Sequence, residues 1–245
     1  MKDSGLLIAV AKAVRRFADG PNRSYTAKVP GQGYVAEIST GGQLTLKAGS
    51  GAISIGVQSY GFGNQRQPVT EPTTKAGTDK DAWPEVRFVR DGISESYVNE
   101  LGGLHHWLTV SARPSRISGN LWVNLGVNGA QRIKSLSDTA AEVTLGNTKL
   151  KYAGLKVWDA SGKNLPARMV ATATGISLVV SDVTAKYPVT IDPTWDSETK
   201  LGPNNFDHLG HLVSPSRWMV TWRRLEMTTG TTQCLDSTKA RGNGL

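Results

Sequence analysis

Disulfide chemistry is closed to this chain from within. It holds one cysteine, Cys234, so no internal cross-link, cysteine redox pair or cysteine-based zinc site can form. That removes one argument for secretion without excluding secretion, since a large β-protein is stable without cross-links. Long apolar runs are also lacking, and no stretch approaches the ~18 apolar residues of a membrane-spanning helix. Leu6 to Val14 comes nearest to an export signal, but Lys12 interrupts it and its basic residues follow the apolar run instead of preceding it. The sequence contains no Gly-x-Ser-x-Gly elbow, no phosphate-binding glycine loop and no zinc-protease helix, so no motif announces a reaction.

What is present points to strands and turns. Hydrophobic residues make up 38% of the 245 positions, a low share, while 27 glycines with many Thr, Ser, Asn and Val suit short strands and frequent turns. The length suffices for one large β-sandwich or two of ordinary size. The formal net charge is +8, yet the cations are scattered: Lys12, Arg15 and Arg16 cluster near the start and Arg223-Arg224 near the end. No Lys/Arg stripe alternates with aromatics, which argues for a soluble basic surface and against a specific nucleic-acid site. An anionic-surface binder would need these residues gathered on one face.

Along the chain, Asp3 to Ala18 sets Leu6, Leu7, Val10, Ala11, Val14 and Phe17 at helical spacing, with Asp3 or Ser4 able to cap the start and Gly20-Pro21 to end it. One amphipathic helix is expected, packed on the β-domain or offering its apolar stripe to a membrane surface or a partner. From Tyr34 the period becomes two, with strands at 34–38, 44–47, 52–57, 86–90, 93–98, 104–110 and 120–127. Gly61 to Asp81 is polar, holds Pro68 and Pro72, and reads as a long loop. Leu121, Val123, Leu125 and Val127 alternate cleanly and should line the core, in a register that a one-residue slip would invert.

Tyr152 to Trp195 is the best-defined stretch. Three strand-like runs are separated by turn signals, Asp159-Ala160-Ser161-Gly162 among them, and Pro188 and Pro193 bracket the last strand. No repeat of fixed period occurs, so a solenoid or a full propeller is not supported. The expected fold is all-β: two abutting antiparallel β-sandwich-like subdomains, one short N-terminal helix and an irregular C-terminal tail. The expected divisions are residues 1–24 for the helix, 25–136 for the first subdomain, 137–195 for the second and 196–245 for the tail.

Several of these motifs carry a family likeness. Val89-Arg90-Asp91-Gly92-Ile93 with Tyr97-Val98-Asn99, Gly102-Gly103-Leu104, Arg113-Pro114, Leu165-Pro166-Ala167-Arg168 and Tyr187-Pro188-Val189-Thr190-Ile191-Asp192-Pro193 lie with the Tyr152 and Asp159 motifs across roughly residues 30–195. Together they resemble the β-rich leader domain that precedes FG-GAP repeats, the blades of integrin-alpha-like β-propellers, in large bacterial surface or secreted proteins. The resemblance implies a secreted or cell-surface setting and an adhesive or scaffolding role. It brings no catalytic residue with it. Asp196 to Gly210 looks like the entry to a first blade, after which Leu212 to Leu245 loses all period. A shifted reading frame over 212–239 is compatible with a strand, an Asp-Gly turn and an Asp-rich loop suited to Ca²⁺, so this tail reads as the frameshifted start of a blade and the chain as a truncated fragment.

The candidate chemistry is sparse. His105 and His106 are adjacent on a strand and point to opposite faces, so they cannot share a metal; one packs and the other faces solvent. His208 and His211, with Asp207, are spaced for one helical face but sit in a polar loop. Asp79-Lys80-Asp81 lies in the long loop, and Asn22-Arg23-Ser24 matches a glycosylation acceptor. Glu95 and Glu100 are the carboxylates a glycosidase reading would use as acid and base. Trp83, Trp107, Trp122 and Trp158 are either packing residues or, where exposed, platforms for sugar rings.

These readings converge on a non-catalytic structural or adhesion module of a larger extracellular or surface protein, with no cofactor and with polysaccharide or another surface protein as partner. The alternative is a carbohydrate-binding module using Trp83 or Trp122, or a polysaccharide-active hydrolase using Glu95 or Glu100.

Overall fold

The computed structural model describes residues 3–63, 65–76, 83–114 and 119–197. Helix α1 (Asp3–Ala13) leads into β1 (Ala18–Asp19), a tight turn at Pro21–Arg23, β2 (Tyr25–Lys28), β3 (Tyr34–Ile38), β4 (Leu44–Ala48) and the long β5 (Gly51–Phe62). There follow β6 (Gln65–Pro68), β7 (Thr74–Ala76), β8 (Glu85–Val89), β9 (Ile93–Glu100), β10 (Gly103–Val110) and β11 (Leu121–Asn128). The remainder comprises β12 (Arg132–Ser137), β13 (Ala140–Leu145), β14 (Thr148–Trp158), β15 (Ala167–Ala171), β16 (Gly175–Val180) and β17 (Val189–Ser197).

The strands form two antiparallel sheets. The first runs β1-β2-β3-β4-β5-β11-β16-β15, with β6 beside the second half of β5; the second runs β12-β13-β14-β17-β10-β9-β8-β7. One core fills the space between them. Tyr25 of the first sheet meets Phe88 of the second edge to face, and the Tyr34 hydroxyl donates across the gap to the Trp195 carbonyl at 2.7 Å. Leu121, Val123, Leu125 and Val127 point into this core with at most 5% of their surface exposed, as their alternation requires. Strands β1 to β11 and strands β12 to β17 each contribute to both sheets. They abut through the β11–β16 pairing in the first sheet and the β10–β17 pairing in the second, so two sandwich-like halves share two continuous sheets.

Open sheet edges invite pairing with other chains, and here one pair of edges covers itself. Edge strands β12 and β15 face each other across the sandwich. The Met169 amide donates to the Asp138 carbonyl at 2.7 Å and the Ala171 amide to the Ser135 hydroxyl at 2.9 Å.

Three expectations are corrected. The helix ends at Ala13, not Ala18: the Arg15 amide bonds back only three residues, to Lys12, and the chain turns into β1. Its inward side carries Ala11 and the turn after it carries Arg15, both 3% exposed, while Leu6, Leu7 and Val10 of the helix and Val14 beyond it lie exposed. The polar stretch after Gly61 is not one long loop, because β5 continues to Phe62 and folds back into β6, and β7 follows. Pro193 does not end the last strand either. β17 runs through it to Ser197, and partner β14 bulges there: Ala153 pairs Thr194 and Lys156 pairs Asp192, leaving Gly154 and Leu155 opposite the proline, which has no N–H to offer. Gly154 makes the bulge with φ +71°, a conformation that favours glycine.

Candidate functional site

Strand β10 divides the chemistry of the second sheet between two faces. His106 points inward and is fully buried, and His105 points outward with 21% of its side chain exposed.

On the inner side, Glu95 of β9 receives three charged or polar partners. Arg90 Nη1 donates to Oε2 at 2.7 Å, and the Tyr97 hydroxyl and His106 Nε2 donate to Oε1 at 2.6 and 2.8 Å. An ionised carboxylate only accepts, which fixes Nε2 as the protonated nitrogen and leaves Nδ1 to accept from the Tyr152 hydroxyl at 2.8 Å. Burial alone would raise the Glu95 pKa, but the hydrogen bond from His106, the Arg90 charge and the Tyr97 hydroxyl outweigh it and hold the carboxyl below its ordinary value. Burial, with the charge of Glu95, pushes Tyr97 well up. The rings join in: Tyr97 stacks on His106 at 4.6 Å and Tyr152 on Trp195 at 4.4 Å. Arg90 also donates through Nη2 to the Gly41 carbonyl at 2.5 Å, and its guanidinium fills the place a side chain on Gly42 would need. Glu95, Tyr97, His106 and Tyr152 are fully buried and Arg90 nearly so, which makes this an internal scaffold that welds β9, β10 and β14 together.

On the outer side lies a cleft of about 560 Å³. Its floor is the outward phase of β10, β17 and β14, with His105, Asp192, Thr194, Asp196 and Lys156; the β9–β10 turn contributes Glu100 to Gly102. Ile8 and Lys12 of α1 and Trp83, on the stretch before β8, make the wall. The helix is held by Arg15, whose Nε donates to the Glu100 carbonyl at 3.0 Å, and by Asn99, whose Nδ2 donates to the Arg15 carbonyl at 2.8 Å. Register places Thr194 directly across from His105, and Asp192, two residues along β17, falls on the diagonal of the same face. His105 Nδ1 thus lies 2.9 Å from Asp192 Oδ1 and 3.3 Å from Thr194 Oγ1. Burial would lower the His105 pKa; the hydrogen bond and charge of Asp192 and the charge of Glu100 overcome it and raise the value. Glu100 is itself raised, first by burial and then by Asp192, against the pull of His105. One Asp196 oxygen, Oδ1, is shielded from water and has no hydrogen-bond partner among the described residues.

The sequence candidates fall on different sides of this picture. Glu95 and Glu100 occupy opposite faces of β9, so they cannot flank one bond as acid and base; five residues along a strand reverses the side-chain direction. Of the four tryptophans named from sequence, Trp83 lines the cleft. Trp122 lies on the outer face of the first sheet with the Arg66 guanidinium 4.5 Å above its ring, and Trp107 and Trp158 are half-buried. In the acceptor-like Asn22-Arg23-Ser24, Asn22 and Arg23 take φ of 55° and 61° in the tight turn, and Ser24 is buried with its hydroxyl on Glu37, so the motif serves the turn. Lys12, Arg15 and Arg16 do not form one basic face: Arg15 is buried, Lys12 lines the cleft and Arg16 is exposed. Asp79-Lys80-Asp81, Asp207, His208, His211, Arg223-Arg224, Cys234 and the proposed frameshifted tail lie outside the described residues. Among the described residues no group of three or more His, Cys, Asp or Glu is placed to hold a metal ion.

Sequence reasoning missed Asp192, Thr194, Asp196 and Lys156. Their signal is alternation, of Asp192, Thr194 and Asp196 against Ile191 and Trp195 and of Lys156 against Leu155 and Val157, which marks them as outward-facing but not as neighbours of His105. No helix among the described residues is long and apolar enough to cross a membrane. Comparison of the chain with protein-family models, with curated protein sequences and with solved structures returns no match.

Proposed function

We propose that this chain is a non-catalytic adhesion module of a larger surface or secreted protein, of the kind that leads into FG-GAP repeats, and that its cleft beneath α1 binds carbohydrate. The observation that carries the reading is the pairing of Trp83 with Glu100, His105 and Asp192 around one cleft. A sugar ring offers an apolar face to an indole and hydroxyls at its rim to carboxylate and imidazole, and the volume falls within the range of small-molecule sites. The rigid floor supports it, since the cleft residues stand on strands whose other face is the Glu95 scaffold.

The reading is tested on a glycan array, followed by titration calorimetry of the best ligand against wild type and Trp83→Ala. Trp83→Ala should lose about tenfold or more in affinity, the loss expected for one aromatic stacking surface. An array without ligands, or an unaffected variant, sinks the proposal. A hydrolytic reading has one observation in its favour: Glu100 is raised beside Asp192, as a general acid beside a second carboxylate would be. Release of reducing ends from the bound glycan, abolished in Glu100→Gln, would select it.

A further inference from the structure

Lys12 reaches from α1 into the cleft and sets its Nζ 5.8 Å from the centroid of the Trp83 ring, within the distance at which an ammonium is attracted by an indole face. The same cleft collects Glu100, Asp192 and Asp196. Asp192 is bound to His105. Glu100 is half-buried near Asp192, and Asp196 keeps an enclosed oxygen with no hydrogen-bond donor among the described residues. An aromatic ring with carboxylates at its side is the arrangement that recognises an ammonium group, and the chain's own lysine already uses the ring. Facing these acids are Lys12 from α1, His105 from β10 and Lys156 from β14, so an added ammonium competes with them for the same carboxylates. Lys12 is the one placed to leave, because it stands on the wall and not on the floor. Its helix touches the sandwich along one side, with Leu6, Leu7, Val10 and Val14 left exposed on the other.

We propose that the cleft selects a primary ammonium group and that Lys12 is the resident occupant of that position, displaced when ligand binds. Resting on the carbohydrate reading above, the ligand class is an oligosaccharide of amino sugars, which stacks its ring on Trp83 and turns its ammonium to Glu100 and Asp196.

The experiment compares a glucosamine oligosaccharide with its N-acetylated counterpart and with a lysine-containing peptide, by calorimetry on the full chain as wild type, Lys12→Gln and Glu100→Gln. The free-amine sugar should bind and the acetylated one bind about tenfold more weakly, since acetylation removes the charge. Lys12→Gln should strengthen amine binding by about threefold, the loss of a competing cation–π contact. Glu100→Gln should weaken it by about tenfold. Equal binding of the two sugars, or unchanged affinity in Lys12→Gln, overturns this inference while leaving carbohydrate binding in place. A peptide that binds as well as the amine sugar overturns the assignment to a sugar. If neither these sugars nor any glycan on the array binds, both proposals fall.

Discussion

His105 and His106 are consecutive, yet one belongs to a closed network and the other to an open cleft. His106 has both ring nitrogens occupied, by Glu95 and Tyr152, and no exposed surface. His105 is tied at Nδ1 alone, to Asp192 and Thr194, and borders a cleft that takes in Lys12, Glu100 and Trp83. The two faces of one strand thus separate a closed scaffold from an open cleft. A polar group enclosed in a sandwich must satisfy every donor and acceptor within the protein, and once it has done so it has nothing left for a ligand. A polar group on the outer face shares its needs with water and can exchange water for a ligand.

The sharpest way to break this comparison is to unbalance the closed side. Glu95→Ala leaves Arg90 and His106 buried without their acceptor, and should cost about 3–5 kcal/mol in urea unfolding, the scale of breaking a buried charged pair from one side. A loss below about 1 kcal/mol would mean that water or a shifted side chain replaces the carboxylate.

The next effect is on acid stability. Because the folded Glu95 sits below its ordinary value of 4.5, its contribution is complete above that pH and is lost as pH falls through the lower folded value. Glu95→Gln should therefore flatten the acid limb of stability below about pH 4.5. An acid limb identical to wild type would assign that limb to other carboxylates.

The smallest effect belongs to the open side. His105→Leu should change stability by about 1 kcal/mol, as a partly buried ion pair open to a cleft does. The sign of its pH dependence is opposite to that of Glu95. The His105 value is raised above 6.5, so the stabilisation by Asp192 is complete below 6.5 and fades as pH rises through the folded value. Asp192→Asn should bring the His105 titration, followed by NMR, back down. A titration unmoved by Asp192→Asn would show that Glu100 sets it instead.

Much of the scaffold was legible in the residues. The alternation of Leu121 to Val127 and the hairpins at Thr40-Gly41-Gly42 and Asp91-Gly92 appear where period and turn chemistry place them. The Asp159 turn forms too, its carboxylate accepting from the Ser161, Lys163 and Lys186 amides. The helix was legible in type but not in orientation: a stripe of Leu and Val at helical spacing normally faces the core, whereas here the buried Arg15 and its bonds to Ala11 and Glu100 turn that stripe outward. Pro193 reads as a stop because a proline interrupts a ladder, and the compensating bulge sits in β14, nearly forty residues away in a partner that sequence does not name. The cleft was half visible. Trp83, Glu100 and His105 stood among the candidates, but nothing local separated them from Glu95 or Trp122.

The alternating strands, the side chains that share a face within each of them, and the parting of His105 from His106 are all set by the order of residues. Those properties follow from the two-residue period and from turn residues, and act over a few positions. The packing of the whole chain is what inserts β17 between β14 and β10, closes the Glu95 network with Arg90, Tyr97, His106 and Tyr152, and brings Asp192 to His105 under the helix. Strand order is a property of the whole packing. Joining strands about ninety residues apart costs loop-closure entropy that no single segment repays, and the choice is made by the shared core that all of them bury.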